Sequence, residues 1–329
     1  MKIAYPIKFV PILKEKVWGG NKLNRLFKKT SLSNKVGESW EISGVEGNIS
    51  IIANGEFSGK NLNELIEIFK QDFLGKQVYA KFGNQFPLLF KFIDAKEYLS
   101  IQLHPHDALA KLRHNSFGKT EMWHIVQADE NANLIIGFKE NISEKIYLKH
   151  IENGTLEEIL HYEKVNEGDS FLIAPGRIHA IGAGVLLAEI QQTSDITYRV
   201  YDWNRPDSDG KLRELHNDLV LDAIDFDAPK DFKLECHLVT NHPQKLVALP
   251  YFETSLLKVI GKMDRDLSFI DSFVVYMCVA GEVSIHVNSY SEILHIGETV
   301  LIPAICTKVS ILATNAKLLE VFVPPNQLK

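Results

Sequence analysis

"NEGDSFLIAPGRIHAI", residues 166–181, has a near match in "HIGETVLIPAICTKVSI", residues 295–311. Each runs through Gly, an acid, Ser or Thr, an apolar stretch and then Pro. Upstream of each copy lies a second pair of similar segments, "EMWHIVQADENANLIIG" (121–137) and "FVVYMCVAGEVSIHV" (273–287). One such match between β-type segments arises easily by chance, but two pairs in the same order imply an internal duplication. Short runs of branched and aromatic residues between Gly, Pro, Asn and Asp clusters read as strands. Many of them at close spacing give a sandwich or barrel, here a jelly-roll half in each copy. The copies differ at one chemically important point. His179 lies eleven residues after Gly168, and the same count from Gly297 reaches Lys308, so the second copy is expected to have lost a ligand.

Outward from these segments the chain stays mainly β. "FPLLFKFID", "VLLAEIQQ" and "TYRVYDW" have the same strand character. Helices enter as small insertions. Residues 61–75 place Leu62, Leu65, Ile66, Phe69 and Phe73 at helical spacing, with Asn61 and Glu64 suited to the N-terminal cap and Gly75 to the end. Residues 212–224 offer a second apolar stripe through Leu212, Leu215, Leu219 and Ala223. The expected organisation is a catalytic unit over 1–234 and a C-terminal β unit over 235–329 that packs against or shapes the cleft.

The 329 residues are 45% hydrophobic and 24% charged, ordinary for a soluble globular protein. A net charge of -6 without a long basic run argues against nucleic acid as the partner. No run of apolar residues is long enough to span a membrane, and lysines and prolines interrupt the N-terminal apolar stretch. Three isolated cysteines, Cys236, Cys278 and Cys306, form neither a disulfide framework nor a zinc pattern, and the expected setting is the cytoplasm.

The stretch "SIQLHPHDALAKLRHNSFGKTEMWHIV" (100–126) is dense in donors. Gln102 and His104 are two apart, so on a strand they share a face. Glu121 opens the next strand and His179 follows the "APGRI" turn. Two imidazoles, a carboxylate and an amide oxygen from neighbouring strands suit a divalent cation such as zinc, with room left for water or substrate. His106 competes with His104 by parity, although Pro105 and the following "DALAKLRH" lead it away. His114 and His124 read as ordinary packed or surface histidines.

"KEKVWGG", "LLFKFIDAKEYLSIQLHPHD", "GKTEMWHIV" and "APGRIHAIGAGVLLAEIQQTSDITYRVYDWNR", in that order, resemble the short bacterial form of type I mannose-6-phosphate isomerase, a zinc enzyme of the cupin superfamily. The resemblance is dense from about residue 11 to about 225 and looser beyond. It implies a duplicated cupin fold and one zinc ion per chain held by Gln102, His104, Glu121 and His179, which decides for His104 over His106. It further implies a catalytic Arg199, a cleft-lining Lys119, an acid–base role at Glu189, phosphate-facing Lys91 and Ser100, and Trp18 near the sugar. The implied partner is a small sugar phosphate, with a monomer or small homo-oligomer as the assembly. Two departures stand out. Longer members carry "KPE" where this chain has Lys119-Thr120-Glu121, and they have a large helical domain for which this chain has no room.

Isomerisation between an aldose and a ketose moves a proton between C1 and C2 through an enediol. Arg199 suits oxyanion stabilisation rather than proton abstraction, and Lys119 or Glu189 could carry the proton. The same ligands in a protein without turnover would make a sugar-phosphate binding or sensor protein. The presence of Arg199, Lys119 and Glu189 together argues against that.

Overall fold

Period-two alternation builds the centre of the molecule. In a computed structural model, which describes residues 3–207, 209–230 and 232–324, the strand Glu121–Ala128 turns Trp123 and Ile125 to one face and Met122 and Val126 to the other. The strands Leu88–Ala95 and Val185–Gln192 do the same and are buried throughout. Burial on both faces is why their sequences read as continuous apolar runs rather than as polar–apolar alternation. The strand Val185–Gln192 lies antiparallel between the other two, so that Lys91, Glu189 and Trp123 stand side by side. This is the middle of a seven-stranded sheet completed by Ile12–Gly20, Val36–Ile42, Ser170–Ile173 and Lys233–Leu234.

A five-stranded sheet faces it, in the order Tyr198–Tyr201, Ile101–Leu103, His179–Ile181, Asn133–Phe138, Leu160–Lys164. Gln102 pairs with both Arg199 and His179. The apolar part of the space between the sheets is filled by Trp18, Trp123, Ile136, Phe171, Ile181 and Leu187. Tyr198 and Val200 point outward from the five-stranded sheet and pack with Tyr147, Leu156 and Val220. The two sheets form the jelly-roll sandwich expected from the sequence.

The C-terminal strands form a third sheet, built around the antiparallel pair Glu253–Asp266 and Lys308–Phe322. Phe273, Val275, Met277, Leu319 and Val321 share a core with Phe90, Phe92, Met122 and Ile190, so this sheet backs onto the outer face of the seven-stranded one. The sequence repeat is carried into the hydrogen-bond ladder. Ser170 pairs with His124 and Ile173 with Glu121, and likewise Thr299 pairs with Met277 and Ile302 with Val274. One strand further, Trp123 pairs with Glu189, and in the second copy Tyr276 pairs with Glu320. Both pairs are hydrogen-bonded: Trp123 Nε1 donates to Glu189 Oε1 (3.0 Å) and the Tyr276 hydroxyl to Glu320 Oε2 (2.8 Å).

The second copy holds no histidine at the corresponding inward place. The count from Gly297 to Lys308 needs correcting by one, because Lys308 is exposed and the buried, inward position is Val309, paired with Arg265. Arg265 donates two hydrogen bonds to Glu320 (2.8 and 2.7 Å), filling the interior with a side-chain cation.

The expected helix over 61–75 is two helices, Leu62–Phe69 and Gln71–Leu74. The first carries the Asn61–Glu64 capping box in full. The break falls at Lys70, whose φ of 49° and ψ of -119° cannot continue a helix. The helix expected over 212–224 is a correction: only Asn217–Val220 is helical, and Leu212 and Leu215 of the supposed stripe are exposed. Leu212 instead forms an isolated bridge with Pro206, and residues 213 to 216 run along the cleft. Among the described residues, no helix is long and apolar enough to cross a membrane.

Candidate metal centre and its cleft

Between the two facing sheets opens a cleft of about 540 Å³ lined largely by polar and charged side chains. At its buried end His104, Glu121 and His179 offer donor atoms that all lie within 4.8 Å of one another, each residue only 1% exposed. His104 Nε2 is 3.2 Å from Glu121 Oε1, and His179 Nε2 is 4.0 Å from Glu121 Oε2. Tetrahedral ligands about 2.1 Å from a metal stand roughly 3.4 Å apart, so this spacing suits a shared cation.

The backbone settles which ring nitrogens face inward. His104 Nδ1 donates to the Ile196 carbonyl (2.9 Å) and His179 Nδ1 to the Arg177 carbonyl (2.8 Å). A proton on each Nδ1 leaves both Nε2 lone pairs for coordination, the usual way a protein orients a metal-binding imidazole. His104 Nε2 and both Glu121 oxygens are buried without a hydrogen bond, an unsatisfied set that a cation would satisfy. Burial drives the His179 pKa down to about 3 and lowers that of His104, with neighbouring positive charge adding to the effect, so both rings are neutral. Burial would raise Glu121, but the Lys119 ammonium beside it outweighs this and holds the carboxyl well below its usual range. The centre is therefore an ionised carboxylate between two neutral imidazoles.

Gln102 sits next to His179 with its amide nitrogen 3.4 Å from Nε2, while its Oε1 accepts from the Ser100 hydroxyl (3.2 Å). Ligation through oxygen requires the amide turned about its terminal bond, and amide orientation is set by the surrounding donors and acceptors.

Around the cluster the chain arranges charge in layers. Lys119 Nζ is 2.9 Å from Glu121 Oε1. Glu189 is buried, with Oε2 2.8 Å from Lys91 Nζ and Oε1 accepting from Trp123. Burial raises its pKa, Glu121 adds to this, and the two lysines oppose it. Lys91 also donates to Gln191 Oε1 (2.7 Å) and lies over the Trp40 ring, 5.3 Å from its centre. Burial works against its charge, but Glu189 and Glu38 outweigh it and raise the pKa. Lys91 is thus a buried, compensated cation rather than a free one. Ser100 and Trp18 both line the cleft and are both buried.

Arg199 lines the cleft from the far sheet, because strand alternation sends its neighbours Tyr198 and Val200 to the opposite face. Its guanidinium donates to the Glu214 carbonyl (2.7 Å), and its Nε is buried without a partner. Asp202 is not its counterion. That carboxylate is clamped by Arg205 and Arg213. His106, His114 and His124 stand outside the cluster: His106 caps the helix Asp107–His114, His114 meets the Tyr198 hydroxyl (2.8 Å) and His124 meets Ser170 (2.8 Å).

The sequence reading missed Glu38 and Trp40, which reach the cleft from the strand Val36–Ile42, far ahead of His104 in the chain, and Arg213, Glu214 and His216. Glu38 and Trp40 carried a usable signal, being two apart in "VGESWEI". The 213–216 group did not, because a false helical stripe covered it.

The sequence model of the family "Phosphomannose isomerase type I, catalytic domain" matches residues 7–134. A mannose-6-phosphate isomerase of Streptococcus mutans is 31% identical over 302 residues, spanning 92% of this chain and 93% of that one. The ManA mannose-6-phosphate isomerase of Bacillus subtilis is 39% identical over 221 residues, 67% of this chain and 68% of its own. A crystal structure of the mannose 6-phosphate isomerase from Bacillus subtilis superposes with a TM-score of 0.87 at 32% identity, covering 96% of this chain and 99% of that one. With near full-length similarity in both sequence and fold, the chain belongs to the type I mannose-6-phosphate isomerase family.

Proposed function

We propose that this chain interconverts mannose 6-phosphate and fructose 6-phosphate through an enediol, with one zinc ion per chain held by His104, Glu121, His179 and Gln102. The observation that carries the reading is the buried cluster of two inward-facing Nε2 atoms and an ionised carboxylate at the floor of a polar cleft. Membership of the family supplies the substrate. Zinc bound there would polarise a sugar oxygen and lower the cost of charge developing on it.

The remaining work falls to the chain's own groups. The open-chain sugar lies with C1 and C2 toward the cluster, and Arg199, on the strand paired with Gln102, faces it as a fixed positive charge that stabilises the enediolate. Lys119 and Glu189 are the groups whose chemistry allows them to move the proton between C1 and C2. Lys91 opposes the burial that favours protonated Glu189 and, with Ser100, supplies donors on the phosphate side, while Trp18 walls the cleft and keeps water from the enediol.

A coupled assay of mannose 6-phosphate conversion, run before and after chelation and then with zinc restored, tests the proposal. Activity that disappears with the chelator and returns with one equivalent of zinc per chain is the expected result. Folded, zinc-loaded protein without turnover would point to a sugar-phosphate binding protein instead.

A further inference from the structure

Lys119 and Glu121 belong to a short loop-to-strand segment whose backbone is tied down at three successive N–H groups. The Gly118 N–H donates to Asp107 Oδ1 (2.9 Å), the Lys119 N–H to the Pro105 carbonyl (3.2 Å), and the Thr120 N–H to Gln192 Oε1 (3.0 Å). Gln192 in turn donates its side-chain amide to the same Asp107 Oδ1 (3.0 Å). Asp107 Oδ2 accepts from the Tyr251 hydroxyl (2.7 Å). One carboxylate therefore joins three parts of the chain: the segment bearing Lys119 and Glu121, the end of the strand bearing Glu189, and a residue just before the long C-terminal strand Glu253–Asp266. The contact at Gly118 is close enough that a β-carbon there would lie 2.5 Å from the Asp107 backbone nitrogen. The three side chains meet on the wall of a second cleft of about 400 Å³, separate from the one that holds the metal cluster.

We propose that Asp107 is a positioning residue for Lys119 and Glu121, and that Tyr251 extends this support from the C-terminal sheet into the catalytic cleft. The proposal rests on the metal-isomerase reading above. Asp107 touches neither the cluster nor the cleft that contains it. Its two oxygens accept three donors, and the position of Glu121 depends on two of them through Gly118 and through Gln192. Partners hydrogen-bonded directly to a metal ligand change affinity by about 10- to 100-fold when removed, and Asp107 acts one link further back, which puts its effect at the lower end. Oδ1 accepts two of the three donors and Oδ2 the third, a hydroxyl that can also accept, so only truncation of the side chain removes the whole junction.

The test compares Asp107→Ala and Tyr251→Phe with the unmodified protein by four readings: thermal midpoint, zinc affinity by chelator competition, kcat and KM for mannose 6-phosphate, and amide exchange of residues 118–121. Asp107→Ala is expected to lower zinc affinity by about 10-fold, to lower kcat with KM nearly unchanged, and to speed exchange at Gly118 and Thr120. Tyr251→Phe is expected to give a smaller effect in the same direction. The double variant should be no worse than Asp107→Ala by more than a small factor, since both remove one shared hydrogen bond. Variants that melt like the unmodified protein and match it in zinc affinity, kcat and exchange would overturn the proposal. If Asp107→Ala fails to fold, Tyr251→Phe decides by the same readings. Failure of the unmodified protein to bind zinc or turn over would instead count against the isomerase reading itself.

Discussion

Lys91 and Glu189 show how much at this site depends on pairs rather than on single residues. Each is almost fully buried, and they face each other across adjacent strands with nitrogen and oxygen 2.8 Å apart. Removing one member leaves the other's charge in a space with little water, which typically costs about 3–5 kcal/mol. Lys91→Met should therefore destabilise the protein by about that amount in urea denaturation. The double variant Lys91→Met, Glu189→Gln should recover most of the loss in stability while remaining inactive. A single variant as stable as the unmodified protein would mean that water reaches the pair. His104 and His179 behave differently. Their backbone carbonyl partners fix each ring before any cation arrives, so the cluster is prepared by the main chain around it.

At the scale of elements, alternation along the strands assigns nearly every functional side chain to its face. Leu88–Ala95, Glu121–Ala128, Val185–Gln192 and Tyr198–Tyr201 each send one parity to an apolar core and the other toward the cleft. The helices are less regular. Lys70 separates Leu62–Phe69 from Gln71–Leu74 with a backbone conformation that only glycine adopts without strain. Such strain is worth about 1–3 kcal/mol, so Lys70→Gly should raise the melting temperature by a few degrees, read by calorimetry. No change, or a fall, would show that the side chain's own contacts outweigh the backbone term.

For the whole molecule, several buried neutral histidines set the response to acid. Burial lowers His124 to about 4 and His179 to about 3, and His104 also falls below its ordinary value of 6.5. In the unfolded chain these rings take up a proton near pH 6.5, whereas in the folded protein they do not until the pH is far lower. Their contribution to stability is thus complete above pH 6.5 and is lost as the pH falls toward the folded values. The metal-free protein should lose about 1.4 kcal/mol per pH unit for each of His124 and His179 between roughly pH 6 and pH 4. Urea midpoints across that range measure the slope. His124→Asn should flatten it by one histidine's share, and an unchanged slope would show that His124 is already protonated in the folded state.

The sequence by itself determined the strand-rich fold, the two related halves and the metal-binding candidates. Each of these is written in local periodicity, in Gly and Pro punctuation, or in the spacing of Gln102, His104, Glu121 and His179. Arg199 was singled out by the family resemblance, and its place on the cleft wall follows from the assembled strand. What the sequence did not contain was anything that depends on meeting across the fold. The cleft wall from Glu38 and Trp40 and the reach of Tyr251 to Asp107 join residues distant in sequence. The segment near residue 212 shows the same limit from the other side, since its leucines suit a helix but the available space carries the chain along the cleft instead. A helical stripe needs an apolar surface to lie against, and only the assembled sheets determine whether one is there.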